Sequence, residues 1–299
     1  MTDVQSRTPF VSPRRSCLFM PGSNARALEK APSLDADCFL LDLEDAVAID
    51  AKDLAREQIC ATLDHNLFGQ RDVLVRINPL TSPWGEADLS SAIQHQATGI
   101  VVPKINTAED VAAIDRLLSD GGADADFKLW IMIETPRAIL NIQSIAAMSE
   151  QTRLSGMILG LNDLAKDLGA SAGTDRSIFT TAMSMTVMAA RAYGLAAIDS
   201  VFNNFKDEAG FTQQCQQARD YGFHGKSLIH PNQIETANQL FSPSEAAVSR
   251  AQRIVEAFLR PEHNDAGVIT VDGEMTERLH LEQAEALLAL HAAIKESRG

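Results

Sequence analysis

Short apolar runs alternate with amphipathic, alanine-rich stretches along most of this chain, and this alternation is the feature that most restricts its fold. The apolar runs lie near Cys17–Met20, Cys38–Asp42, Val73–Ile77, Gly99–Val102, Leu129–Ile133, Gly156–Leu159, Ala196–Asp199 and His224–Ser227. Runs of strand length that alternate with helices are typical of βα units around a parallel sheet. Eight such units predict an α/β fold, a closed (β/α)8 TIM barrel of about 250 residues.

The intervening stretches predict the helices and the domain boundary. Helices are expected near Asn24–Ala31, Lys52–Leu63, Glu86–Gln94, Ala108–Ser119, Pro136–Ala147, Ser177–Tyr193, Glu208–Tyr221 and Asn232–Leu240. The barrel domain is therefore predicted over residues 1–240. Residues 241–299 predict a helix ending near Leu259, a short strand at GVITVDG and a helix at LHLEQAEALLALHAAI. A barrel does not need this C-terminal helical extension, so we expect it to pack on the barrel or on a neighbouring subunit, and we favour a contribution to the neighbouring subunit.

Charge and cysteine usage exclude several classes of function. The net charge of −14 argues against binding to nucleic acid or to an anionic membrane, because both depend on clustered Lys and Arg. No stretch reaches the roughly 18 uncharged apolar residues of a membrane span, and the N-terminus lacks a signal-peptide pattern. The four cysteines form no CxxC pair and are typical of buried thiols in a reducing cytosol. We therefore expect a cytoplasmic protein.

Two carboxylates follow the fifth and sixth apolar runs, Glu134 after LWIMI and Asp163 after GMILGLN. Barrel strands place their carboxyl ends at one rim, where such barrels carry their chemistry, so both groups are expected there. Oxygen ligands without a nearby Cys or His favour Mg²⁺ or Mn²⁺, which bind through one or two carboxylates plus the substrate. In the alternative interpretation, Glu134 forms only a surface ion pair with Arg137 or Arg153.

Further charged residues are predicted at the same rim. Asp42 and Glu44 alternate on one strand and therefore face the same way. Together with the two carboxylates after the later strands they form an acidic cluster, which repels itself unless a cation or a basic partner lies within it. Arg76 is the natural partner, because its planar fork can hold a carboxylate through two hydrogen bonds. A simple ion pair between Arg76 and Glu44 is the alternative.

Basic residues allow two more kinds of chemistry. Lys104 and Lys226 lie at strand ends, and a lysine at a barrel mouth can form a Schiff base with a ketone. We favour ion pairs with the rim acids instead, because such acids keep a lysine protonated. Arg26 and Lys30 lie on the first predicted helix, where cations and free backbone N–H groups suit an anion such as phosphate. Solvated surface charges are the alternative there.

Seven motifs follow one another along the chain: RRSCLFMPGSNARALEKA, DCFLLDLEDAV, LVRINPL, IVVPK, IMIETPRAILN, MILGLNDLAKDLG and GKSLIHPNQI. In this order and spacing they resemble the citrate lyase β-subunit-like family, which includes malyl-CoA and citramalyl-CoA lyases within the HpcH/HpaI aldolase superfamily. The resemblance runs from about Arg14 to Gln233. It implies a (β/α)8 barrel, a Mg²⁺ ion on Glu134 and Asp163, and an Arg76 that anchors the oxygens of a 2-oxo acid beside the metal.

The resemblance also implies roles for other residues. Asp42 and Glu44 match an acidic pair near the waters of the metal. The backbone of Gly160, Leu161 and Asn162 matches the segment that receives the substrate carboxylate. Arg26 and Lys30 match basic residues that face the phosphates of coenzyme A.

The C-terminal segment departs from the pattern of the family. Lyases that act on free CoA thioesters read roughly D-G-x-M-[IV]-D-x-P, and the second Asp reaches the active site of an adjacent subunit. In this chain Glu277 replaces that Asp, and Leu279 replaces the Pro. A carboxylate is kept on a side chain one methylene longer, so its basicity is retained while its position is in question. The resemblance implies a homo-oligomer, a trimer or hexamer.

The rim residues together with the family resemblance imply a Mg²⁺-dependent carbon–carbon lyase that cleaves a 3-hydroxyacyl-CoA of the citramalyl-CoA or malyl-CoA type. The products would be acetyl-CoA and a 2-oxo acid, pyruvate or glyoxylate. Alternatives are a lyase on an acyl-carrier-protein thioester, an aldolase on a free hydroxy acid, a metal-free Schiff-base aldolase and a non-catalytic relative. The acyl group, its stereochemistry and a subsequent hydrolysis of the thioester stay open.

Overall fold

The structure, a computed structural model, describes residues 12–170, 176–263 and 266–297. Eight parallel strands pair in chain order, and the eighth pairs with the first to close a barrel. These strands are β1 Ser16–Pro21, β2 Cys38–Asp42, β3 Asp72–Arg76, β4 Gly99–Val102, β5 Lys128–Ile133, β6 Leu154–Leu159, β7 Ala196–Asp199 and β8 Gly225–Leu228. The predicted TIM-barrel fold is confirmed, and each strand lies within two residues of its predicted position.

Helices surround the barrel. They are α1 Ala25–Lys30, α2 Lys52–Asp64, α3 Gly85–Gln94, α4 Ala108–Asp120, α5 Pro136–Leu140, α6 Ile142–Ala147, α7 Leu161–Leu168, α8 Thr180–Ala192, α9 Glu208–Tyr221 and α10 Ile234–Phe241. Two differences from the sequence prediction stand out. Asn141 divides the predicted fifth helix into α5 and α6, and α7 was not predicted at all. The helix α7 is only 8 residues long and begins two residues after β6, so the sequence pattern assigns its residues to the strand end at the rim.

The barrel strands are buried on both sides, as expected for a parallel sheet covered by helices. One set of side chains fills the barrel interior and includes Leu40, Leu74, Trp130 and Ile158. The alternate set packs against the helices. Gly156 makes room for the indole of Trp130, because a Cβ at this position would lie 2.6 Å from the ring. The interior is therefore a packed core, and the chemistry must lie at an open end.

A second unit follows the barrel, since internal contacts group the chain into Arg14–Phe241 and a unit that contains the segment from Ser242 onward. In this C-terminal unit, α11 Glu245–Phe258 and α12 Arg278–Glu296 accompany a hairpin of β9 Val268–Val271 and β10 Glu274–Glu277. The strand β10 was not predicted. The sequence feature that indicates a hairpin here is the Asp272-Gly273 pair. The φ angles of these residues, +52° and +82°, suit a two-residue hairpin turn.

The unit has a small core of its own, which includes Ile254, Phe258, Ile269, Val271 and Ala284. None of the helices in the described part of the chain is both long enough and apolar enough to span a membrane.

Candidate active site

Arg76 and Asp42 form the centre of the rim. They are direct neighbours in the register of β3 and β2, so their side chains emerge side by side. The guanidinium donates from Nε to Asp42 Oδ1 at 2.7 Å and from Nη2 to Oδ2 at 2.5 Å. Burial opposes the charge on Arg76, but Asp42 and Glu44 outweigh it and raise its pKa above the usual range. The Arg76 guanidinium also lies 4.7 Å from the ring centre of Phe19.

Glu44 lies on the other side of the same guanidinium. Its Oε2 is 2.9 Å from Arg76 Nη1, yet this buried oxygen makes no well-aligned hydrogen bond. Burial raises the pKa of Glu44 to about 8, although Arg76 opposes the shift. The carboxyl of Glu44 is therefore mostly protonated at pH 7. Arg76 thus bridges two carboxyl groups, and the Arg76–Glu44 contact considered as an alternative from the sequence is present, as an ion pair only when Glu44 is ionised.

Glu134 and Asp163 approach each other through Lys104. The backbone N–H of Lys104 donates to Glu134 Oε1 at 2.8 Å, and its Nζ lies 3.5 Å from the same oxygen. The same ammonium group contacts Asp163 Oδ1. Burial raises the pKa of Glu134, although Lys104 opposes the shift. Burial opposes the charge on Lys104, but Asp163 and Glu134 raise its pKa.

Two sequence interpretations change at this point. Arg153 pairs with Asp115 at 3.1 Å, and the basic partner of Glu134 is Lys104 rather than Arg153 or Arg137. Asp163 was placed at a strand end but lies in the first turn of α7. The fold still brings it to the rim, because α7 starts where β6 ends.

The start of α7 adds backbone donors beside the carboxylates. Gly160 N–H donates to Ile133 O at 2.9 Å, which fixes the turn between β6 and α7. A Cβ at Gly160 would lie 2.6 Å from Glu134 Cβ and 2.8 Å from its Oε2. The first N–H groups of a helix have no acceptor within the helix, so Leu161 and Asn162 begin a segment suited to an anionic group.

A cavity of about 350 Å³ opens at this rim. Among the sequence-predicted site residues, those lining it are Asp42, Arg76, Glu134, Gly160, Leu161, Asn162 and Asp163. Its apolar wall includes Phe19, Met132 and Val201. The cavity therefore combines opposite charges with an apolar wall, which is typical of sites that hold a small charged molecule.

Some predicted residues lie elsewhere. Arg26 and Lys30 are exposed on α1, one helical turn apart, and do not line the cavity. Glu277 ends β10 in the C-terminal unit, where its N–H donates to His280 Nδ1 at 2.9 Å. Lys226 is fully buried and pairs with Asp199 at 2.7 Å, so it forms the ion pair favoured from the sequence.

The structure also reveals residues that the sequence interpretation missed. Lys52 is buried, and its Nζ donates to the backbone oxygens of Leu43 and Glu44, each at 2.7 Å. Asn78 Nδ2 donates to Leu43 O at 2.9 Å and to Asp88 Oδ2 at 2.7 Å. This network holds the loop after β2. Nothing in the local sequence marks Lys52, since a lysine at the start of a helix is ordinarily exposed.

A second cavity of about 820 Å³ adjoins the first. Leu161, Asn162, Val201 and Asn203 line both. The amides of Asn162 and Asn203 exchange hydrogen bonds of 3.3 Å and 2.9 Å across the boundary. The active-site cavity is thus bordered by a wall of two polar side chains.

The donor set at the rim fits a divalent cation. Glu134 and Asp163 supply carboxylate oxygens, and the Lys104 ammonium between them shows that these oxygens accommodate positive charge. Among the described residues, no three His, Cys, Asp or Glu side chains are arranged to hold a metal ion. A cation on these two carboxylates would take its remaining ligands from water or substrate, as Mg²⁺ commonly does.

Comparisons with known proteins agree with this geometry. Residues 15–231 match the family described as HpcH/HpaI aldolase/citrate lyase. A (3S)-malyl-CoA thioesterase of Cereibacter sphaeroides is 44% identical over 96% of this chain and 97% of its own length. A citrate lyase subunit beta of Haemophilus influenzae is 35% identical over 92% of this chain and 96% of its own.

Among solved structures, CitE from Mycobacterium tuberculosis in complex with magnesium, acetoacetate and coenzyme A is similar to this chain. The TM-score is 0.75, the sequence identity is 27%, and the match covers 95% of this chain and 100% of that one.

Proposed function

Because this chain belongs to the HpcH/HpaI aldolase/citrate lyase family, we propose that it is a Mg²⁺-dependent carbon–carbon lyase acting on a 3-hydroxyacyl-CoA. The substrate would be of the malyl-CoA or citramalyl-CoA type, and the products would be acetyl-CoA and glyoxylate or pyruvate. One observation carries the proposal. Glu134, Asp163, Asp42 and Arg76 line a single cavity of about 350 Å³, which has room for a 2-oxo acid and contains both the proposed metal ligands and an arginine for its oxygens.

Glu134 and Asp163 would hold the metal ion. When bound, Mg²⁺ supplies Lewis-acid stabilisation of negative charge on the oxygen at C3 of the substrate. Complexes of the related CitE protein with magnesium and acetoacetate or pyruvate support the use of magnesium with an oxo acid.

Arg76 would orient the 2-oxo acid portion of the substrate. Its Nε and Nη2 are bound to Asp42, which fixes the plane of the guanidinium. Its Nη1 lies beside Glu44 without a well-aligned hydrogen bond. Nη1 is therefore the guanidinium nitrogen that would donate to substrate oxygens. Because the guanidinium is held in a fixed plane, it can stabilise developing negative charge without reorganising.

Cleavage requires a base for the C3 hydroxyl proton. As the base takes this proton, the C2–C3 bond breaks, C3 becomes the carbonyl of the 2-oxo acid, and the electron pair leaves on C2 as the enolate of acetyl-CoA. Glu44, with a pKa of about 8, is basic enough for this proton transfer once it is ionised. Asp42 orients Glu44 through the shared Arg76 and through the N–H of Glu44, which donates to Asp42 Oδ1 at 2.9 Å.

The enolate then takes a proton at C2. We assign this step to Glu277 of a neighbouring subunit in a homo-oligomer, a trimer or hexamer, as the resemblance of its segment to the trans-acting segment of the family suggests. Arg26 and Lys30 would contact the phosphates of coenzyme A. Their exposure one turn apart on α1 supports this assignment.

Hydrolysis of the thioester is the second candidate. The relative of Cereibacter sphaeroides, 44% identical over nearly its whole length, is a (3S)-malyl-CoA thioesterase. The same metal and Arg76 would hold the same substrate, but water would attack the thioester carbon and release coenzyme A and malate. The replacement of the family Asp by Glu277 favours this candidate, since it changes the position of the carboxylate assigned to protonation of the enolate.

One assay separates the candidates. Malyl-, methylmalyl- and citramalyl-CoA are each incubated with the protein and either Mg²⁺ or EDTA, and the acyl-CoA and acid products are identified by mass spectrometry. Acetyl-CoA with glyoxylate from malyl-CoA, acetyl-CoA with pyruvate from citramalyl-CoA, or propionyl-CoA with glyoxylate from methylmalyl-CoA, formed only with Mg²⁺, supports the lyase. Free coenzyme A with the intact acid of the substrate (malate, methylmalate or citramalate) supports the thioesterase, and turnover undiminished by EDTA contradicts the metal assignment.

A further inference from the structure

We propose that the Lys104 ammonium group competes with the divalent cation for Glu134 and Asp163. The cation must displace this ammonium group in order to bind the two carboxylates. The inference rests on the proposed function because it takes these two carboxylates as the metal ligands. It adds a role for a residue that supplies neither a metal ligand nor a substrate contact in that function.

The competition follows from the position of the ammonium. Lys104 Nζ contacts Asp163 Oδ1 and lies 3.5 Å from Glu134 Oε1. Mg²⁺ binds carboxylate oxygens at about 2.0–2.1 Å, so an ion on the same oxygens would lie next to Nζ. Glu134 is only 2% exposed, and like charges repel more strongly in such poorly solvated surroundings than in water. The ammonium and the metal ion therefore exclude each other.

The side chain can leave while the backbone stays in place. The N–H of Lys104 donates to Glu134 Oε1 at 2.8 Å, and its carbonyl accepts from Asn106 Nδ2 at 2.9 Å. These bonds hold Lys104 at a φ of +57°, a left-handed conformation that non-glycine residues seldom adopt. The side chain itself is 38% exposed and has a flexible four-carbon stem. Its backbone orients Glu134, and its ammonium offsets one of the two negative charges of the carboxylates until a metal ion replaces it.

The test is cation binding without substrate. Mn²⁺ binding to the full-length protein is measured by electron paramagnetic resonance, and Mg²⁺ binding by calorimetry, for wild type, Lys104→Met and Lys166→Met. Lys104→Met keeps an unbranched side chain of nearly the same length but removes the charge. We expect the Kd of this variant for the cation to fall about tenfold or more. The cation then no longer has to break the ion pair between Lys104 and the carboxylates, and it is no longer repelled by the ammonium group. Lys166, exposed on α7, is the matched control for the loss of one charge, and its variant should bind as wild type does.

A second measurement does not depend on the binding assay. In EDTA, Lys104→Met should unfold at a lower temperature than wild type, because Glu134 and Asp163 then repel each other without a counter-ion. Adding Mg²⁺ should raise its unfolding temperature by more than that of wild type. Lys104→Gln provides the same comparison if the Met variant does not fold.

Equal or weaker cation binding by the folded Lys104 variants overturns the inference, since Lys104 would then be neutral or helpful to the metal. A wild-type protein that binds neither Mg²⁺ nor Mn²⁺ overturns the metal site of the proposed function and the inference with it. The two failures are distinguishable, because only the second is seen in wild type.

Discussion

Arg76 makes the acidic rim compatible with an anionic substrate. Its guanidinium lies between Asp42 and Glu44 and is buried to about nine-tenths, so its orientation is set by the protein before any ligand arrives. A planar group with several fixed donors can hold one carboxylate and still present an edge to a second acceptor. Arg76 can therefore form a structural ion pair with Asp42 and also make the proposed contact with the substrate.

We expect Arg76→Lys to lower kcat/KM by at least about 100-fold, because a point charge cannot reproduce the planar fork. Steady-state kinetics on the preferred acyl-CoA measures the effect. Arg153→Lys is the matched control, since Arg153 also pairs with an aspartate, Asp115 at 3.1 Å, but does not line the cavity. Unchanged kinetics for Arg76→Lys would leave this residue with a structural role only.

The raised pKa of Glu44 predicts that activity depends on pH. Its pKa of about 8 means that the folded protein gains the ionised carboxylate only as the pH rises through this value. If ionised Glu44 accepts the hydroxyl proton, kcat/KM should rise with pH to a plateau above about 8. Glu44→Gln should lose most of the activity and this dependence. The same rise in the residual activity of the Gln variant would assign the titration to another group.

Stability provides a check on the same carboxyl group. An unfolded Glu ionises near 4.5, whereas folded Glu44 ionises near 8, so between these values the unfolded state loses its proton first. The contribution of Glu44 to the free energy of unfolding therefore falls as the pH rises across this range. Urea unfolding at pH 5 and pH 8 should show a smaller decline for Glu44→Gln than for wild type.

Among the elements, α7 has the largest influence on the site. It starts directly after β6 and carries Asp163 in its first turn, opposite Glu134 at the end of β5. Gly160 permits this close approach, because any side chain there would collide with Glu134. The short turn thus sets the distance between the two proposed metal ligands.

Gly160→Ala should displace the Glu134 carboxylate and weaken Mg²⁺ or Mn²⁺ binding by about tenfold or more, with a loss of unfolding free energy of about 1–3 kcal/mol. Calorimetric titration and urea unfolding measure the two effects. Gly267→Ala is the control, since a Cβ at Gly267 meets nothing within 4 Å. Cation binding by Gly160→Ala that equals wild type would show that Glu134 is not confined by this turn.

The loop after β2 depends on Lys52 at the start of α2. Its ammonium satisfies the carbonyls of Leu43 and Glu44, and burial lowers its pKa. Lys52→Met removes the charged donor from both carbonyls and leaves Leu43 O with Asn78 Nδ2 and Glu44 O with the N–H of Val47, so we expect the free energy of unfolding to fall by about 1–3 kcal/mol. We also expect kcat to fall more than KM changes, because the loop carries Glu44. Lys52→Arg keeps donors at this position and should retain more activity, and equal loss in both variants would contradict a positioning role.

At the scale of the whole molecule, the role proposed for Glu277 connects the C-terminal unit with catalysis. Glu277 ends β10 in that unit, and Arg76 ends β3 in the barrel unit. If Glu277 acts in the active site of a neighbouring subunit, a hybrid oligomer can contain one site with both residues intact. Two inactive variants can then complement each other.

Mixing inactive Arg76→Ala with inactive Glu277→Ala under subunit-exchange conditions should restore part of the wild-type turnover. Glu277→Ala alone should still bind Mg²⁺ and 2-oxo acid, because these ligands are assigned to barrel residues. Native mass spectrometry verifies that hybrids form. Verified hybrids that stay inactive would exclude a required Glu277 supplied by a neighbour, and product analysis of Glu277→Asp would then test whether hydrolysis is the native reaction.

The sequence by itself determined the barrel and the composition of its rim. Strand-length apolar runs in alternation with helices predict a parallel sheet with right-handed connections, and eight such units predict its closure into a barrel. In that fold every residue after a strand lies at the same end, so Asp42, Arg76 and Glu134 could be placed together from their positions alone. The family resemblance likewise depended only on motifs and their order.

Only the tertiary structure decided which rim groups touch. Lys104 and Asp163 are 59 residues apart, and Lys52 holds carbonyls 8 and 9 residues before it, so neither contact has a local sequence signal. Such contacts depend on the closure of the barrel, on the left-handed turn at Lys104 and on where α7 begins. Burial has the same origin, since the protonation of Glu44 depends on how much water surrounding elements exclude, and this is a property of the packed fold rather than of any segment.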